Sequence, residues 1–97
     1  MNKCIFQYWE ESERGYGVRP NGCSIHSSKE EHMNFINGIY SSRTDEVPHE
    51  YDRVAGNPIV CFVSDEIFER VLLNSSIRIS ENEKNNLINF EDLIFNL

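Results

Sequence analysis

One run of six residues constrains the fold more than any other: Pro58-Ile59-Val60-Cys61-Phe62-Val63. A continuous apolar stretch of this length, rich in β-branched residues, predicts a strand buried on two sides rather than an edge strand with one wet face. Such a strand needs neighbours. Lys3-Cys4-Ile5-Phe6-Gln7-Tyr8-Trp9 is aromatic and β-prone and predicts a second strand. Cys23-Ser24-Ile25-His26 alternates apolar and polar and predicts a third, with Asn21-Gly22 as the tight turn before it.

Helices are marked by their starts. Ser28-Lys29-Glu30-Glu31 has the spacing of a capping box, and Phe35, Ile36, Ile39 and Tyr40 then fall on one stripe, with His32 at its edge. Ser64 followed by Asp65 and Glu66 opens a second helix whose inner face is Ile67, Phe68, Val71 and Leu72. Ile77-Arg78-Ile79 predicts a short strand, and Ser80-Glu81-Asn82-Glu83 a further capping box. Phe90, Leu93, Ile94 and Leu97 sit at helical spacing, so the C-terminal stretch is expected to continue as helix, with a turn and strand as the alternative. The expected architecture is α+β. It has a small, mainly antiparallel sheet of three to four strands with two to three helices packed on one face, in the order β-β-α-β-α-(β)-α. With 97 residues, one domain spanning 1–97 is expected.

Charge excludes some functions. Nine Lys and Arg against sixteen Asp and Glu give a net charge of −7, the wrong sign for nonspecific binding to nucleic acid or to an anionic membrane. The three cysteines, Cys4, Cys23 and Cys61, are odd in number and irregular in spacing, which suits free thiols in a reducing cytoplasm better than a disulfide framework. The N-terminal stretch lacks the apolar core of a signal peptide, and no apolar run is long enough to span a bilayer.

Candidate chemistry concentrates between Trp9 and His26. Arg14 and Arg19 supply planar donors for phosphate or carboxylate, Tyr16 and Trp9 supply stacking faces, and Ser24 and His26 supply directional hydrogen bonds. Together they form the expected ligand-binding set for a small anionic or nucleotide-like molecule. The glycines Gly15 and Gly17 match no phosphate-loop fingerprint. Cys23 and His26 have C-x-x-H spacing, but a structural zinc needs a second pair, so neither metal nor cofactor is expected. Ser24 and His26 share a strand face, yet nothing in the sequence marks an oxyanion hole, and no catalytic residue is assigned.

The long segment Ser42 to Asn57 is a second candidate. Asp45, Glu46, Tyr51 and Arg53 there read as a protein-binding edge, since Tyr and Arg are favoured at interface hot spots. The apolar C-terminal residues predict docking, onto the chain's own core first and onto a second copy as the alternative.

A short, acidic, single-domain chain without a catalytic motif is similar in profile to small phage-encoded proteins that inhibit bacterial defence, including anti-CRISPR proteins and sponges for nucleotide signals. That resemblance implies a stoichiometric inhibitor acting on a small anionic ligand or a protein target. Two other readings stand beside it. One is a small enzyme using Arg14, Arg19, His26 and a glutamate on a phosphorylated or carboxylated substrate. The other is an acidic interaction module or nucleic-acid mimic. Size favours a binding protein, because a preorganised catalytic site needs a supporting shell that a short chain struggles to supply.

Overall fold

The computed structural model describes residues 2–13, 17–41, 52–86 and 94–96. Eight elements follow one another: β1 (Asn2–Glu13), β2 (Gly17–His26), α1 (Lys29–Ser41), β3 (Arg53–Val63), α2 (Asp65–Asn74), β4 (Ser76–Ile79), α3 (Glu81–Asn86) and β5 (Ile94–Asn96). The strands form one antiparallel sheet in the order β4-β2-β1-β3-β5. The α+β class and the expected element order hold. The sheet gains a short fifth strand at Ile94–Asn96, where helical spacing had favoured a helix: Phe62 and Val63 pair with Phe95 and Ile94.

β1 lies at the centre because it is the one strand paired along most of its length on both sides. Cys4 faces Cys61 on β3, and Phe6 faces both Ile25 on β2 and Ile59 on β3. Of the apolar run of β3, Cys61 to Val63 lie between β1 and β5, whereas Pro58 and Ile59 are exposed, where burial on two sides had been expected for the whole run.

Strand alternation sorts the sheet into two faces. On one, Cys4, Phe6, Cys23, Ile25, Cys61, Val63, Ile77 and Ile79 pack with Ile67 and Val71 of α2 into the apolar core. On the other, Gln7, Trp9, Ser24 and His26 meet His32, Phe35 and Tyr40 of α1. The helices therefore divide between the two faces, where packing on one face had been expected. The physical reason is that α1 brings its own polar and aromatic partners to a side of the sheet whose residues read as solvent-facing.

The β1–β2 hairpin is also longer than its composition suggests. Glu10 to Glu13 pair with Pro20 to Gly17, so the glycine- and proline-bearing stretch is strand rather than irregular loop. Asn21 and Gly22 form a bulge opposite Trp9, not a turn; Gly22 has φ +76°, and a Cβ there would collide with the Ile79 carbonyl oxygen. Among the described residues no helix is long and apolar enough to cross a membrane.

Candidate functional site

The chemistry-bearing side chains converge under α1. The Trp9 Nε1–H donates to Ser24 Oγ at 2.8 Å, Ser24 Oγ lies 2.7 Å from His26 Nε2, and His26 Nδ1 lies 2.7 Å from Ser76 Oγ. Ser76 Oγ donates in turn toward the Glu31 carbonyl of α1, at 3.5 Å. Ser76 has one hydroxyl proton and gives it to the Glu31 carbonyl, so it accepts from His26 Nδ1–H. With the ring neutral, Nε2 then accepts from the Ser24 hydroxyl, whose oxygen accepts from Trp9. Neutral His26 fits this order. A second proton, on Nε2, would turn the ring into a donor toward a hydroxyl that is already donating to it.

A second bonded set lies beside the first. β3 departs from the ladder opposite Gln7, between the Phe6–Ile59 and Tyr8–Ala55 pairs. The Gln7 side chain fills that gap: its Nε2 donates to the carbonyls of Gly56 and Tyr8, each at 3.0 Å. Its Oε1 then accepts from His32 Nε2 at 2.9 Å, which ties α1 to the break in the ladder. The His26 and His32 rings meet edge to face at 4.9 Å between centroids. Burial, and then the neighbouring His32, hold His26 down to about 4, and burial also lowers His32.

At the edge of this face, Arg78 stands 4.2 Å over the Trp9 ring and grips Asp52 through two nitrogens, at 2.9 and 3.2 Å. Asn21 Nδ2 donates to the same carboxylate at 2.9 Å. Near the hairpin end, Arg53 pairs with Glu10 at 2.7 Å and Arg19 with Glu11 at 3.2 Å. A recess of about 270 Å³ opens there between Tyr8, Glu10, Val18, Arg19, Pro20 and Ala55, with Trp9 at its back.

The expected ligand set is thus split. Trp9, Ser24 and His26 come together but are buried, and they direct their hydrogen bonds at one another. Arg19 is exposed on the hairpin, 60% accessible at its side chain, and reaches the set only through the recess it shares with Trp9. Arg14 and Tyr16 lie outside the described residues, as do Asp45, Glu46 and Tyr51 of the expected protein-binding edge. Arg53 of that edge is half-buried in β3 against Glu10. Cys23 and His26 point to opposite faces of β2, so the C-x-x-H spacing does not make a ligand pair. Among the described residues no group of three metal-capable side chains converges. Burial raises the thiols of Cys4 and Cys61, the latter to about 12 with the neighbouring Cys4 thiol contributing.

Gln7, His32, Asp52 and Arg78 complete the arrangement, and sequence reasoning gave none of them a site role. The signal for Gln7 was present: an amide in the middle of an apolar strand demands internal partners. No protein-family model, curated protein or solved structure matches the chain.

Proposed function

We propose that the chain is a small, non-enzymatic binding protein that acts stoichiometrically. One observation carries this reading. The two described histidines, His26 and His32, with Ser24 and the three thiols, are buried and engaged with one another or with the core. The accessible surface instead presents recesses lined by aliphatic and aromatic groups with cations at their rims. The hairpin-end recess suits a small anionic or nucleotide-like ligand, with Arg19 taking the charge and the half-exposed Tyr8 the ring. A cytoplasmic inhibitor or sequestering protein of phage type fits the acidic charge and the burial of Ser24, His26 and His32. The enzyme reading needs His26 at the surface, and its exposure is 0%.

The test is native mass spectrometry of the protein purified gently from its host's lysate. The expected result is a small retained mass that Arg19→Ala releases without lowering the melting temperature. A retained mass indifferent to Arg19 would remove the hairpin recess as the site. A bare chain that co-purifies with a second protein would favour a protein target instead.

A further inference from the structure

Cations are scarce in this chain, and their pairing is uneven. All four arginines whose side chains are described hold carboxylates: Arg19 with Glu11, Arg53 with Glu10, Arg70 with Glu83 and Arg78 with Asp52. The two lysines described in full, Lys3 and Lys29, have no partner among the described residues. In a chain of net charge −7, a described cation without a partner among the described residues is the exception. Both of these line one cavity of about 320 Å³, with Ile5, Ser27, Ser28 and Val60. Lys3 shares its face of β1 with Ile5, and Lys29 is the first residue of α1, which packs on that face.

This cavity continues into a second, of about 290 Å³. The two share Ile5, Lys29 and Val60, and the second adds Met33, Pro58 and Ile59, with His32 at its wall. Met33 is 61% exposed and Pro58 is exposed, so the lining is apolar and open to solvent. The result is a trough with two charges of one sign at one end and an aliphatic lining along the rest. We propose that this trough binds a single-chain amphiphile with an anionic head, such as a fatty-acid carboxylate or alkyl phosphate. Lys3 and Lys29 take the head, and Ile5, Met33, Pro58 and Val60 take the chain. The charge pattern selects the ligand: two unpaired ammonium groups repel a cationic head, and an aliphatic floor rewards a tail that a bare anion lacks. The proposal rests on the reading of a binding protein but places the ligand away from the hairpin end.

The test is calorimetric titration of the full chain with decanoate below its micelle concentration, with methyl NMR of Met33 as a local reporter. Saturable binding that shifts the Met33 methyl is expected. The double variant Lys3→Gln/Lys29→Gln, altered only at exposed and unpartnered positions, should keep its melting temperature and bind at least about tenfold more weakly. Decyltrimethylammonium, of equal tail and opposite head charge, should show the same deficit against the native chain. Decyl phosphate in place of decanoate separates a phosphate preference from a carboxylate preference. No saturable binding, equal binding of the cationic amphiphile, or an unchanged affinity in the double variant would overturn the proposal. So would loss of decanoate binding in Arg19→Ala, which would return the ligand to the hairpin recess and leave the binding-protein reading intact. Failure with decanoate while native mass spectrometry still shows a retained mass would likewise sink the trough alone.

Discussion

The two faces of the sheet use the same strands and reach burial by opposite means. On the α2 face, Cys4, Phe6, Cys23, Ile25 and Ile79 touch one another and need nothing but close packing. On the α1 face, alternate residues of the same strands are Gln7, Trp9, Ser24 and His26, each buried to 1% exposure or less. That side is held by hydrogen bonds whose donors and acceptors must agree in order. No described buried side-chain nitrogen or oxygen lacks a partner. The difference teaches that polar alternation along a strand does not by itself mean a wet face. An apolar face tolerates local repacking, whereas a bonded face fails when a single proton is misplaced.

The widest break between the faces should come from truncating the packed one. Ile25→Ala removes a fully buried side chain and should cost about 3–4 kcal/mol in chemical denaturation, with no dependence on pH. A loss below about 1 kcal/mol would mean that the α2 face is not the close-packed core.

The bonded face should instead reveal itself through acid. His26 ordinarily titrates near 6.5 and is held to about 4 in the fold, so the unfolded chain takes up its proton first. Its contribution to stability is complete above pH 6.5, falls as pH drops from 6.5 toward 4, and is level below that. The loss is roughly 3 kcal/mol at full extent, and His32, lowered in the same direction, adds to it. Denaturation at pH 7 and pH 4.5 measures it. Carboxylates titrate in the same range, so His26→Phe isolates the histidine. It should cost about 2 kcal/mol at pH 7 by stranding the Ser24 and Ser76 hydroxyls, and should flatten the pH difference. An unchanged pH difference in His26→Phe would place the acid sensitivity elsewhere.

The smallest effect sharpens how α1 is anchored. Ser28 Oγ accepts from the Glu31 amide at 3.2 Å, and the Glu31 carboxylate makes no return bond, so half of the expected capping box is formed. Ser28→Ala should cost about 1 kcal/mol. Glu31→Ala should cost less than about 0.5 kcal/mol, against the 0.5–1 kcal/mol of a complete box. Equal losses in the two variants would restore the reciprocal cap.

Much of the fold was legible because its signals are local. Ser28, Ser64 and Ser80 each mark a helix start, and each accepts a hydrogen bond from the amide three residues on. Three features were illegible because a distant partner imposes them. Gly17 and Pro20 are poor strand formers, made strand by pairing with Glu13 and Glu10. Ile94–Asn96 has helical spacing, but the edge of β3 draws it into the sheet. Ser24 and His26 read as outward-facing until α1 covers them. Their nearness on one strand face was readable from spacing two apart. Their withdrawal from solvent was not, because it depends on a helix whose own polar residue, His32, faces inward.

β1 is central yet is completed only by a strand made much later. Ile5 finds His26 on β2 early, but its other neighbour is Val60. During synthesis at ~5–20 residues per second, the β1–β2 hairpin waits roughly 2–7 s with one edge of β1 unpaired. For that interval the exposed edge includes Cys4-Ile5-Phe6, the most apolar part of β1, open to pairing with another nascent chain. A slower ribosome would lengthen the wait. The yield of correctly formed protein is thus expected to depend on the pace of translation between Ser28 and Val63, a stretch whose described residues form α1 before β3 reaches that edge.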